Sequence, residues 1–134
     1  GLGTFRPISV SSLDEHAMHT EWGQIDAATA ESLNAHRAAG GRTIAIGTTA
    51  VRVLETAAAT GTLAAWTGQT DLFIRPPYRF RAVDALMTNF HFPRSTLLVL
   101  VRTFGGEALM RRAYDEAIAE SYRFYSYGDA MLIV

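Results

Sequence analysis

The chain contains no cysteine and no lysine, and it has no long apolar run. Without cysteine there is no disulfide framework and no thiolate metal site. A chain without disulfides fits a cytoplasmic setting. No stretch approaches the roughly 20 apolar residues that cross a bilayer, and the start does not read as a signal peptide. Charge is sparse as well: 19% of residues are charged and the formal net charge is -1. That balance gives no global argument for nucleic acid or a membrane surface as partner. The missing lysines mean that all 12 basic residues are arginine. Biased genomic composition explains that absence most simply. Arginine nevertheless binds phosphate and carboxylate through a planar fork and stacks on bases. Between Arg75 and Arg102 the only acid is Asp84, so this stretch is locally basic.

With 134 residues and 49% apolar content, the chain reads as a single α/β domain with a sizeable core. It opens at Gly1-Leu2-Gly3 without methionine, which reads as a piece of something longer. Gly1 to Val10 reads as a loop with a short extended segment, Pro7 marking an edge or an end. His16 to Trp22 alternates as a strand does. A metal site from His16, His19 and Glu21 is not expected, because strand residues three apart point to opposite faces.

Asp26 to Ala39 reads as a helix capped by Asp26 or Thr29, with Ala28, Leu33 and Ala35 inward and Gly40-Gly41 as its stop. Thr43 to Ile46 reads as a strand covered on both faces. Gly47-Thr48-Thr49 then leads into a helix over Ala50 to Thr60. Such a loop, at the carboxyl end of a strand and the amino end of a helix, is where α/β sheets bind ligands and anions. Thr48 and Thr49 offer hydroxyls there, and Arg52 lies one turn on. The simpler reading is that Thr49 only caps the helix. Gly61 to Thr70 reads as a loop, Asp71 to Ile74 as a strand, and Arg75-Pro76-Pro77-Tyr78 as extended. Tyr78 and Phe80 interleave with Arg75, Arg79 and Arg81, a pattern suited to base stacking and phosphate contact. A solvated edge with its aromatics packed inward gives the same pattern.

The stretch from Phe80 to Phe104 organises the rest. An apolar strand over Ala82 to Met87 runs into a polar corner of Thr88, Asn89, His91, Pro93, Arg94, Ser95 and Thr96. Ser95 then caps a core helix reaching Phe104. A corner of this kind is either a plain connection or a working loop. Glu107 to Tyr122 reads as a further helix with Leu109, Ala113, Ile118 and Tyr122 inward. An aromatic turn at Phe124 to Asp129 precedes a closing buried strand over Ala130 to Val134.

Several stretches together resemble the S-adenosylmethionine:tRNA ribosyltransferase-isomerase family of queuosine biosynthesis. They are GLGTFRP at Gly1–Pro7, HAMHTEW at His16–Trp22, GGRTIAIGTTAVRVLE at Gly40–Glu55, GQTDLFIRPPYRFRAVDALMTNFHFPRSTLLVLV at Gly68–Val101 and YRFYSYGDAMLI at Tyr122–Ile133. The resemblance covers the carboxy-terminal part of that enzyme. It implies a mostly parallel sheet with helices on both faces, and a missing amino-terminal part that includes an inserted β-barrel domain. It also implies that S-adenosylmethionine is consumed as a ribosyl donor to 7-aminomethyl-7-deazaguanine at the tRNA wobble position. Epoxyqueuosine-tRNA, adenine and methionine are the implied products.

A general base is needed beside the sulfonium. His91, Asp84, His19 and Glu21 have suitable chemistry, and His91 with Asp84 are the leading choices. Thr48, Thr49, Arg52, Thr88 and Asn89 are the expected cofactor-binding set. Arg75, Tyr78, Arg79 and Arg81 are the expected nucleic-acid contacts, and Asp129 is a further site candidate. The geometric expectation is that His91 and Thr49 face one cleft. Two other readings stand beside this one: a nucleotide-binding α/β enzyme of another kind, and a catalytically incomplete nucleotide- or RNA-binding fragment.

Overall fold

A computed structural model describes residues 18–134; His16 and the expected extended segment before Val10 lie outside them. The elements are β1 (Glu21–Ile25), α1 (Ala27–Ala38), β2 (Ile44–Ile46), α2 (Thr48–Ala57), β3 (Trp66–Thr70), β4 (Ala85–Asn89), α3 (Thr96–Gly105), α4 (Glu107–Ala119) and β5 (Ala130–Ile133). A 3-10 turn at Tyr125–Tyr127 precedes β5. The expected helix caps hold. Asp26 accepts from Thr29 N at 2.7 Å, and Ser95 Oγ accepts from Leu98 N at 3.2 Å. Each satisfies a backbone donor that the first helical turn leaves without a partner.

The strands form two sheets. β1 and β3 make an antiparallel ribbon, while β2, β4 and β5 make a three-stranded sheet in the order β2-β4-β5. Only β2 and β4 run parallel, and β5 lies antiparallel on β4. The expected mostly parallel sheet is therefore corrected to a mixed one. The reason lies in how β5 arrives. Tyr125 N donates to Phe90 O at 2.9 Å, which delivers the chain to the carboxyl end of β4. From there it can only run back along β4.

The expectation of helices on both faces is corrected too. Ala45, Leu86 and Ile133 enter the main core, together with Val51 of α2, Leu98 and Val101 of α3, and Met110 and Tyr114 of α4. On the other face Ile46, Met87 and Leu132 lie in one cross-strand row, exposed by 75%, 44% and 58%. β2 is thus covered on one face only.

Two further elements differ from expectation. Trp66–Thr70 is a strand, and Asp71 to Ile74 carries no ladder. The glycines that suggested a loop are used in pairing. Gly68 stands opposite Gly23, and a Cβ at Gly23 would lie 2.3 Å from Val53 Cγ2. Glycine here lets α2 approach the ribbon closely. On α4 the buried stripe is Met110, Tyr114 and Ala117, while Leu109 and Ile118 are exposed. Of the expected stripe Ala113 does pack on the main core, while Met110 and Ala117 take the places expected of their neighbours Leu109 and Ile118. On α1, Ala30 is the buried position and Ala28 is exposed.

α2 ties the two sheets together through buried charge. Arg52 is completely buried, and Nη1 donates to Glu21 Oε2 at 2.8 Å. Nε donates to Leu72 O at 2.9 Å, and Nη2 donates to His19 O and Thr70 O at 2.9 and 3.0 Å. One turn on, buried Glu55 accepts from the backbone N–H groups of Arg81, Ala82 and Val83 and from the Tyr78 hydroxyl. This planar set of acceptors around Arg52 suits a guanidinium and not an ammonium. Arg52→Met removes the cation and leaves Glu21 buried without it, so it is expected to destabilise the chain by about 3–5 kcal/mol, the range for breaking a buried pair. Urea unfolding would measure it. A change within the roughly 0.5 kcal/mol typical of surface substitutions would show that the network is not structural.

Candidate active site

β2 and β4 are parallel neighbours, so their carboxyl ends lie at one sheet edge. Gly47 follows β2 with φ 89 and donates its N–H to Met87 O at 2.8 Å. That positive φ is available to glycine without strain. It turns the chain so that Thr48 and Thr49 open α2. From the other side come Thr88 and Asn89, at the end of β4, and His91 just beyond it. Thr48, Thr49, Thr88, Asn89 and His91 all line one cleft of about 230 Å³. His91 and Thr49 do face one cleft.

The hydrogen bonds fix which atoms are on offer. Thr49 Oγ1 donates to Glu21 Oε1 at 2.9 Å, so its lone pairs remain as acceptors. His91 Nε2 lies 2.8 Å from Thr88 Oγ1, and the His91 backbone N–H donates to the Tyr114 hydroxyl at 2.9 Å. When His91 carries its proton on Nε2 and gives it to Thr88, Nδ1 keeps its lone pair. Burial pushes the His91 pKa down to about 4, so the ring is neutral near pH 7. A neutral, positioned imidazole can take a proton from a bound substrate. Asn89 Nδ2 donates to the Asp129 carbonyl at 3.0 Å, which holds the aromatic turn against the end of β4.

Sequence reasoning missed the aromatic wall of the cleft. Phe92 and Tyr125 line it with their rings stacked 3.5 Å apart. Tyr125 belonged to a recognised aromatic turn, but only the chain reversal at Phe90 brings it here. Glu21 was named as a possible base. It is buried and touches the cleft through Thr49 rather than directly.

Other expected site residues lie elsewhere. Asp84 stands before the first residue of β4, at the opposite end from His91. Its Oδ2 accepts from Thr43 N at 2.8 Å and pairs with Arg37. It closes the β2–β4 entry and is not beside His91. Arg52 is buried and engaged by Glu21 and three carbonyls, so it does not present a cation to a ligand. Tyr78, Arg79 and Arg81 line a separate cleft of about 490 Å³. There the Tyr78 hydroxyl donates to Glu55, and burial raises its pKa. Arg81 binds Ala59 O through its guanidinium, while Arg79 is exposed. The Arg75 guanidinium lies 5.8 Å above the Phe73 ring.

His19 sits 3.8 Å from Glu21, and burial followed by the charge of Arg52 lowers its pKa. The Asp129 carboxylate binds Arg123, which holds its pKa below the usual range. Among the described residues no His/Asp/Glu group is placed to hold a metal ion. Nor is any helix there long and apolar enough to cross a membrane.

A family model described as "Queuosine biosynthesis protein" matches residues 1–133. The chain belongs to that family. Among its relatives, the S-adenosylmethionine:tRNA ribosyltransferase-isomerase of Ralstonia pickettii is 59% identical over 134 residues, covering 99% of this chain and 37% of the relative. The protein of the same name from Methylobacterium radiotolerans is 61% identical, covering 99% and 38%. A solved structure, the S-adenosylmethionine tRNA ribosyltransferase of Thermotoga maritima, superposes with a TM-score of 0.80 at 50% identity. It matches 84% of this chain and 40% of that one. This member of the family thus spans well under half the length of the curated relatives it matches.

The low His91 pKa makes a stability prediction. Because the folded value lies below the ordinary 6.5, the unfolded chain takes up this proton first as pH falls. The His91 contribution is therefore complete above about pH 6.5 and is lost between about pH 6.5 and 4. Relative to a His91→Gln variant, the chain should lose on the order of 2 kcal/mol across that window. Parallel pH curves for the two proteins would show that His91 is not buried neutral.

Proposed function

We propose that this chain carries the reaction centre of an S-adenosylmethionine:tRNA ribosyltransferase-isomerase. In that reading, the ribosyl moiety of S-adenosylmethionine passes to the aminomethyl group of a 7-deazaguanine at the tRNA wobble position and isomerises. The products are epoxyqueuosine-tRNA, adenine and methionine, with one proton released overall. The observation that carries the reading is the convergence of Thr48, Thr49, Thr88, Asn89 and His91 on one cleft in a chain of this family.

The chemistry fits the groups. A sulfonium acidifies the adjacent 5′ carbon, and neutral His91 is the base that takes that proton. The Thr49 lone pairs and the Asn89 amide oxygen are acceptors for ribose hydroxyls. The cleft, at about 230 Å³, is smaller than the roughly 300–1,000 Å³ of ordinary ligand sites. It takes the reacting ribose and sulfonium, while other surfaces hold the ends of the donor. Asp84 and Arg52 have no part in this step. The remaining length of such an enzyme would cover the apolar row of Ile46, Met87 and Leu132. Arg75, Tyr78, Arg79 and Arg81 contact the tRNA backbone away from the chemistry.

The test uses a chimera in which this chain replaces the matching stretch of the Ralstonia relative. His91→Ala should slow adenine release by at least about a hundredfold, the scale of a lost general base, with tRNA affinity retained. Full adenine release in the variant would remove His91 as the base, and none from the unmutated chimera would contradict the whole reading. Separately, Arg79→Ala should reduce the slope of log affinity for tRNA against log salt by about 1. An unchanged slope would return Arg79 to a solvated edge.

A further inference from the structure

His91 and Tyr125 are shared by two cavities. One is the cleft at the Gly47–Thr49 loop. The other is a groove of about 540 Å³ between α3, α4 and the aromatic turn. Resting on the function proposed above, we propose that this second groove receives the acceptor base itself, the 7-deazaguanine swung out of the RNA stack. His91 then stands where the donor and acceptor sites meet.

The groove has what a guanine-type base requires. Tyr122 and Phe124 lie in its wall, in a cluster in which both pack on Phe90, with ring centroids 5.7 and 5.0 Å away. Tyr122 is exposed, so its ring has surface left for a ligand. Unstacked RNA bases are held on aromatic faces in this way and read along their edges. Asp115 on α4 lines the groove and is exposed. A carboxylate accepts the two N–H donors that a guanine-type edge presents side by side. Arg102 on α3 lines the same groove. Its Nε is buried, but the side chain is 37% exposed and Nη1 reaches Glu107 only at 3.5 Å, so its terminal N–H groups are the available donors. It offers donors where the base carries its carbonyl oxygen. A carboxylate and a guanidinium together match a base that is donor on one side of its edge and acceptor on the other. They do not match a phosphate, which Asp115 would repel.

The location also fits the reaction. The first cleft, at about 230 Å³, cannot hold both the donor and a purine-sized acceptor. The adjoining groove is more than twice as large and shares His91 and Tyr125 with the first.

The experiment compares Asp115→Asn, Tyr122→Ala and Tyr122→Phe in the Ralstonia chimera, with Glu116→Gln on exposed α4 surface as control. The probes are S-adenosylmethionine and tRNA carrying 7-aminomethyl-7-deazaguanine. Asp115→Asn and Tyr122→Ala should each raise KM for that tRNA by about tenfold or more, the scale of a lost base stack or edge contact. KM for S-adenosylmethionine should stay unchanged. Tyr122→Phe keeps the ring and should restore the parent value, and Glu116→Gln should match it throughout. Asp115 is on the surface, so its variant tests the groove even if Tyr122→Ala fails to fold. An unchanged tRNA KM in Asp115→Asn, with the parent chimera active, would overturn the inference and leave the proposed function standing. So would a rise in KM for S-adenosylmethionine, which would give the groove to the donor.

Discussion

Arg52 sits in the middle of α2 with its guanidinium wholly buried, and the arrangement of the domain depends on what surrounds it. Its partners come from β1, from the end of β3 and from the segment that follows. None of these is near it in sequence. A buried guanidinium without such partners would be prohibitively unfavourable. The pairing therefore fixes the ribbon against α2. Glu21 shares the effect with the cleft, because its second oxygen holds the Thr49 hydroxyl. One ion pair thus sets both the seat of α2 and the orientation of a hydroxyl in the cleft.

The second constraint is the parallel pairing of β2 with β4. Two parallel strands place their carboxyl ends at one edge, and both ends line the cleft here: Gly47–Thr49 follow β2, Thr88 and Asn89 close β4, and His91 lies just beyond. The aromatic turn completes the edge because β5 must pair with β4 from the same end. Tyr114, from α4, then supports the His91 backbone from beneath. The two cavities meeting at His91 follow from this convergence. One lies toward α2 and the other toward α4.

Much of this was legible in the sequence. Asp26 and Ser95 announced helix starts, and Gly40 announced a stop. The polar corner at Thr88 to Ser95 stands at a cleft, opposite Thr48 and Thr49. What could not be read was long-range. Arg52 lies one turn past an anion-friendly loop, and nothing local reveals that Glu21 and three carbonyls claim it. Asp84 lies seven residues from His91, but an extended strand separates them to opposite ends of the sheet. Gly68 looked like a turn residue because its pairing partner, Gly23, is far away in the chain. The α4 stripe was misread in part because Leu109 and Met110, and likewise Ala117 and Ile118, are adjacent and both apolar. Only packing decides between them. The mixed sheet was hidden for a similar reason: strand direction depends on where β5 enters.

We place the ribose and sulfonium of S-adenosylmethionine between His91 and Thr49. A crystal structure of the Ralstonia chimera with S-adenosylmethionine bound tests this placement most directly. The sulfonium-bearing carbon should lie against the His91 imidazole, with ribose hydroxyls on Thr49 and Asn89. A donor bound in the cleft beside Tyr78 and Arg79, with His91 untouched, would contradict it.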